Sequence, residues 1–539
     1  MPLTGTPRVS AGVPAVASAS VLERLQLPLV AVILVVFLLV GWVGREPTMN
    51  AAADDELVYL SLSKSLESGS YREIYKATAP LHVQYPPAYP AWLIVVRHAV
   101  GEDLELLKLS NLALAALALV LFFLVARRLM GAGLALALLF LLALNRSLLT
   151  TGSLTSEGLF LLVSAGALAL MLPSDRPDAR RIAGVIVLAL LAFLTRSIGL
   201  ALVLSVGAWL WSHRRRVPLL AWAASSVLVV GGWFTYSAIA REENSVQSYV
   251  SEFATRIPTS TGVLQHLAGR VWHRGVVYAT TIMPSSLSVP TIPGTLVDNW
   301  FWLLTNAVCI AAGFVIFWRR WRAAAVYVLC YLAMVLLWSW FSGRLLVPMI
   351  PFGLLALLLG ARWATGLLSM PARKIALGAL LVLLALGALQ GGRERLSLYR
   401  QCDRNNPYGS PGCYGEVKLT MAAAAAYLRS HASPASVLLT NQPASMNFLS
   451  GYRTEDAGIL LDAFKDNIND ILRSRNINFI LISNPWMARR FLADCKALRP
   501  AASFPPNGLL LSTAAAGEAA SNACPALGEM VSRIPPRHD

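Results

Sequence analysis

The 539-residue chain is 56% hydrophobic and only 14% charged, with a mean hydropathy of +0.58. That balance excludes an ordinary soluble globular protein and makes a lipid bilayer the main solvent, so the chain reads as a polytopic α-helical membrane protein. The formal net charge of +16 does not signal nucleic acid, because the basic residues gather in short turns between apolar runs, where they orient a chain in a membrane.

Residues 1–25 are small and polar without periodicity and read as a disordered cytoplasmic N-terminus. The apolar run 26–42 follows Arg24, has no small-residue cleavage site close behind it, and is followed by further runs, so it reads as an uncleaved first helix. Further apolar runs cover about 104–126, 129–145, 156–172, 182–195, 197–211, 217–239, 298–318, 323–341, 345–361 and 375–390, eleven in all. Several fall short of the roughly 20 residues that cross a bilayer upright, and 182–211 reads either as one bent hairpin or as two short helices. Residues 26–390 are thus expected to form one transmembrane domain of about 11 helices.

Arginine and lysine recur in alternate turns: Arg127 and Arg128, then Arg176, Arg180 and Arg181, then Arg214 to Arg216, then Arg319, Arg320 and Arg322, then Arg362, Arg373 and Lys374. Basic turns favour the cytoplasm. This places the N-terminus inside a plasma (inner) membrane, and puts the loops 43–103 and 241–297 and the tail 391–539 on the periplasmic face or an equivalent lumen.

The tail departs from the rest because its apolar runs shrink to strand length. Leu438-Leu439-Thr440, Phe479-Ile480-Leu481-Ile482 and Leu509-Leu510-Leu511 read as strands, with helices near 418–430, 464–475 and 485–494, which makes a soluble α/β domain. Four of six cysteines lie here, on the side where an oxidising compartment permits disulfides. The local pairs Cys402 with Cys413 and Cys495 with Cys524 are expected, with other pairings left open by spacing alone.

In the first outer loop, Asp54-Asp55-Glu56 forms an acidic cluster beside the membrane. Two readings compete: these carboxylates cap the helix-like run through Leu57, Leu60, Leu62 and Leu66, or they perform catalysis. Further on, Tyr85-Pro86-Pro87-Ala88-Tyr89-Pro90 reads as a stiff extended turn leading into an interfacial helix at 89–100.

Asp55-Glu56 followed by Tyr59, then Leu66-Glu67-Ser68-Gly69 and the Tyr85–Pro90 segment, resembles the first loop of GT-C glycosyltransferases related to protein O-mannosyltransferases and lipid A aminoarabinose transferases. Thr155-Ser156-Glu157-Gly158-Leu159-Phe160, Leu194-Thr195-Arg196-Ser197-Ile198-Gly199 and Gly343-Arg344-Leu345-Leu346-Val347-Pro348 are similar to later motifs of the same group, in order, over about residues 26–361. The resemblance implies transfer of a sugar from a polyprenyl-phosphate carrier to an acceptor hydroxyl on a glycolipid, glycan or protein. Such a phosphate already leaves readily, so the chemistry needs a base for the incoming hydroxyl and cations for the departing phosphate.

By that resemblance Asp55 is the base, with Asp54 or Glu56 in its place if the register shifts by one, and Tyr59 follows as the aromatic of the motif. Glu157 is the second acid, to bind acceptor or assist Asp55; its structural alternative is a first-turn carboxylate of its helix. Arg196 and Arg344 fall at outer ends of apolar runs, against the basic-inside bias, and suit a phosphate, although a structural pair with an outer-loop carboxylate would also place them there. The sequence departs from the aminoarabinose transferases at Tyr85, where those proteins carry a lysine thought to touch the donor phosphate. The loop 241–297 offers His266, Arg270, His273 and Arg274 on one helical face as a substitute anion patch, with a solvated basic face as the plainer reading. His82 is a further candidate. Trp300, Trp302, Trp338 and Trp340 fit an interfacial belt or the rim of a lipid groove.

No cofactor is expected, and a divalent metal lacks support, since the loop histidines are seven residues apart with no carboxylate motif beside them. A P-loop and a dinucleotide-binding glycine motif are both absent, which argues against nucleotide-driven chemistry. The competing class is a lipid or solute transporter or flippase, which would show internal repeats and mid-span charges that the sequence lacks. A third reading is a non-catalytic scaffold that presents the tail.

Overall fold

The computed structural model describes residues 21–45, 54–172, 177–244, 262–287, 300–338, 342–398, 400, 402–403, 413, 415–458, 472–483, 485–492, 495–505, 507–513 and 522–533. Within the described residues, each of the eleven apolar runs is mostly helical. Five described helices are long and apolar enough to cross a membrane: Leu25–Val43, Leu104–Met130, Arg216–Ala240, Gly343–Thr365 and Met370–Ser397. The bent pair Ala132–Ala143 and Arg146–Gly152 would make a sixth, and Glu157–Leu170, Ser197–Ser212 and Arg322–Leu337 are shorter apolar helices. The structure therefore supports a polytopic membrane protein and does not establish the expected count of eleven spans. Run 182–211 is two helices, Ala179–Thr195 and Leu200–Ser212, joined by a 3-10 turn at Ser197–Gly199.

Glycines set two of the close approaches that carry the site. A methyl group on Gly199 would lie 2.5 Å from the Ala192 backbone, so only glycine lets the chain fold back directly after Arg196. One on Gly158 would lie 2.9 Å from the Asn111 carbonyl oxygen, so glycine there allows the start of the Glu157–Leu170 helix to press against Leu104–Met130. Asn111, fully buried, ties the same junction by donating from Nδ2 to the Tyr89 hydroxyl at 2.8 Å and to the Thr155 carbonyl at 3.0 Å. An amide nitrogen that donates to two other segments in this way fixes the relative height of three elements.

The tail holds a five-stranded sheet, β1 Val437–Thr440, β2 Arg453–Asp456, β3 Ile477–Ile482, β4 Arg499–Phe504 and β5 Gly508–Ser512, in the order β2-β1-β3-β5-β4. The β2-β1-β3 half is parallel, and β3-β5-β4 is antiparallel. Leu439, Ile480, Leu510 and Leu511 are wholly buried in the central strands, between Glu416–His431 on one face and Pro485–Phe491 with Cys524–Ser532 on the other. All three expected strands are present. The helix expected near 464–475 lies largely outside the described residues. Cys402 pairs with Cys413 and Cys495 with Cys524, as the local reading anticipated.

Sheet and membrane domain meet along the free edge of β2. Thr454 donates from N to the Tyr75 carbonyl at 3.0 Å and accepts from Ala77 N at 3.1 Å, so first-loop residues 75–77 extend the sheet by one bridge. The Glu455 carboxylate adds contacts from Thr78 N and Oγ1, both 3.2 Å.

Candidate active site

Helix Asp55–Glu67 begins with the acidic cluster, and its three carboxylates diverge. Asp55 opens onto a cavity of about 350 Å³, lined among the described residues by Asp55, Tyr59, Gln84, Tyr85, Arg196 and Arg344, with Pro86, Thr195, Ser197, Ile198, Trp338, Ser342 and Leu345 completing the wall. Glu56 turns into the protein, where its side chain is buried, accepts from Leu154 N at 2.7 Å and faces Lys108 Nζ at 3.9 Å. Asp54 points to the tail: Oδ2 accepts from Ala444 N at 2.8 Å and Oδ1 from Ser445 N at 2.6 Å, at the start of helix Pro443–Ser450. Asp54 stands at the N-cap position of its own helix yet makes no side-chain capping bond there. It caps a helix some 390 residues further on.

Asp55 is held from both sides. Tyr85 donates from its hydroxyl to Oδ1 at 2.9 Å, and Arg344 donates from Nη1 to Oδ2 at 2.8 Å. Arg344 also reaches Glu157 Oε1 at 3.0 Å, and Arg196 Nη1 meets the same oxygen at 2.7 Å. Glu157 is thus buried behind two guanidiniums that line the cavity, and its carboxylate sets the position of both. A buried charge of this kind needs its partners, since an unpaired carboxylate away from water is costly.

Aromatic contacts fix the remaining wall. Tyr59 lies 4.7 Å from Tyr85 and 4.8 Å, edge-on, from Tyr89 between ring centroids, and its hydroxyl shares a 3.0 Å hydrogen bond with Ser156 Oγ. Burial pushes the Tyr59 phenol above its usual range, against the opposing pull of Arg196, so it stays a neutral hydroxyl.

Tyr85 is itself placed by a buried polar chain. His82 Nε2 accepts from Tyr85 N at 2.8 Å, which leaves Nδ1 to donate to Glu73 Oε1 at 2.7 Å. Lys76 closes the chain on Glu73 Oε2 at 2.5 Å. Burial alone would raise the Glu73 carboxyl, but Lys76 and His82 outweigh it and bring it down to about 2. His82 therefore supports the cavity wall from behind.

The basic loop segment forms helix Val263–Val277. Arg270, His273 and Arg274 are not among the cavity-lining residues; His273 is exposed, and Arg270 contacts His266 Nε2 at 3.1 Å and the Leu337 carbonyl at 3.4 Å. Trp338 lines the cavity; Trp340 lies outside the described residues. Gln84 and Ser342 line the cavity without having been singled out in the sequence, because an isolated glutamine or serine carries no spacing signal. Among the described residues no group of three or more His, Cys, Asp or Glu side chains is placed to hold a metal ion.

No family model and no curated protein sequence matches the chain. Solved structures do. ArnT from Cupriavidus metallidurans matches both in a structure bound to undecaprenyl phosphate (TM-score 0.56) and in the apo state (TM-score 0.57), each at 15% identity over 90% of this chain and 98% of that one. The oligosaccharyltransferase of Archaeoglobus fulgidus, in a complex with Zn and sulfate, matches at 11% identity over 89% of this chain and 73% of that one, with a TM-score of 0.51. At such identities the likeness speaks for architecture. The chain shares the overall fold of these two proteins along most of its length.

Proposed function

We propose that the protein is a membrane glycosyltransferase that moves a sugar from a polyprenyl-phosphate donor to an acceptor hydroxyl, with Asp55 as general base. The observation that carries this reading is the joining of Asp55, Arg344 and Arg196 in one cavity, with the two arginines braced from behind by Glu157. The same fold in ArnT was solved with undecaprenyl phosphate bound, which supports a lipid-phosphate donor.

In this reading the acceptor hydroxyl gives its proton to Asp55 as its oxygen bonds to the anomeric carbon, and the carbon–oxygen bond to the phosphate breaks with its electron pair leaving on the phosphate. Arg196 and Arg344 receive that growing charge; their fixed forks cost no reorganisation as the reaction proceeds. Tyr85 and Arg344 orient Asp55. Glu157 is a positioning residue for both arginines, and no step needs a metal. The cavity faces the periplasmic side of a plasma membrane, as the basic turns indicate. The acceptor is a glycolipid, glycan or protein hydroxyl.

Purification with native lipids, followed by mass spectrometry, tests the donor class. A retained polyprenyl-phosphate sugar is the expected result. A folded sample that neither retains nor turns over such a lipid would favour a transporter. Labelling of a cysteine placed at the exposed Ser68, just beyond helix Asp55–Glu67, from the cytoplasmic side alone would overturn the sidedness.

A further inference from the structure

Among the described residues, the tail's sheet-bearing part is hydrogen-bonded to the first outer loop, which supplies Asp55, Tyr59 and Tyr85 to the cavity, in two regions. At the first, the Asp54 carboxylate takes both the Ala444 and Ser445 amides, and Ser445 Oγ is in turn held by the wholly buried Lys418 through Nζ at 2.6 Å. At the second, residues 75–77 bridge to β2, which places Lys76 on Glu73 and so, through His82, behind Tyr85. Both routes end on Asp55: one along a single peptide bond, the other at the Tyr85 hydroxyl.

We infer that the tail domain is a working part of the site and that Asp54 is a positioning residue, which fixes the direction of Asp55 by anchoring the start of helix Asp55–Glu67 to the start of helix Pro443–Ser450. This assigns Asp54 a partner in the protein rather than a substrate. It rests on the transferase reading above. A carboxylate that accepts two amides at a helix start is held strongly, since those donors have no partner within their own helix and the helix end favours negative charge. Released from that anchor, the first turn of Asp55–Glu67 would shift, and a displacement of about 1 Å at a catalytic group can cost up to a hundredfold in rate.

The test compares wild type with Asp54→Ala and Asp54→Asn, using polyprenyl-phosphate sugar from the native lipid extract as donor. Asparagine keeps one acceptor for the two amides and alanine none. The expected result is a kcat roughly tenfold lower in Asp54→Ala and partly restored in Asp54→Asn, with the donor KM unchanged in both. Hydrogen exchange should rise in both variants at 55–60 and 443–446, with or without donor. An unchanged kcat in Asp54→Ala, or a raised donor KM at constant kcat, would overturn the positioning role, the second outcome marking direct donor contact. A wild-type protein with no turnover at all would overturn the transferase reading instead, and is told apart because the exchange difference between wild type and the variants would persist.

Discussion

Arg344 donates to Asp55 Oδ2 across 2.8 Å although 289 residues separate the two, and the same guanidinium spans on to Glu157 Oε1 at 3.0 Å. One side chain from the start of the Gly343–Thr365 segment thereby locks the first outer loop to the start of the Glu157–Leu170 helix. Bridging of two carboxylates needs a planar fork, which an ammonium point charge does not supply.

Arg344→Lys is accordingly expected to lower kcat on the order of a hundredfold, the scale of losing one preorganised donor to a developing oxyanion. Steady-state turnover by the purified protein checks this. A lysine variant with wild-type kcat would show that the fork is dispensable.

Stability should fall on the acid side through Glu73. Its carboxyl is held at about 2, against an ordinary value of 4.5, so its ionised form is better bound in the folded state. A depressed carboxyl contributes stability that is complete above the unfolded value and is lost as pH falls from about 4.5 toward 2. Thermal unfolding in detergent from pH 7 downward should show this loss, and Glu73→Gln should start with a lower melting temperature and lose less of it over that window.

The tail should depend on the Cys495–Cys524 bridge, whose sequence separation of 29 residues predicts a loss of about 3–4 kcal/mol when it is removed. The Cys495→Ser/Cys524→Ser variant is expected to unfold at lower denaturant, followed by tail-specific proteolysis.

Much of this was legible in the sequence, and the reasons for the rest are physical. Apolar runs mark their helices because burial in lipid demands them, and Leu438, Ile480 and Leu510 mark their strands because both sheet faces are covered. Strand β2 escaped notice because Arg453-Thr454-Glu455-Asp456 has no apolar alternation; it is an edge strand paired to loop residues 75–77. Strand β4, with Pro500 and two alanines, is equally faint. Within the acidic cluster, spacing alone left three neighbouring carboxylates equivalent. What separates them is the partner of each, the cavity for Asp55, Leu154 and Lys108 for Glu56, and Ala444 and Ser445 for Asp54, all distant along the chain. The His82 support of Tyr85 has the same character, since a single histidine announces nothing until Glu73 is beside it.

The most direct test of the account follows release of polyprenyl phosphate by mass spectrometry from purified protein loaded with native lipid-linked sugar and acceptor, comparing wild type with Asp55→Asn. The account predicts release by wild type and a rate lower by about 10²–10⁴ in the variant, the range for loss of a general base, at equal donor occupancy and nearly equal melting temperature. Equal rates of release in the two proteins would contradict it.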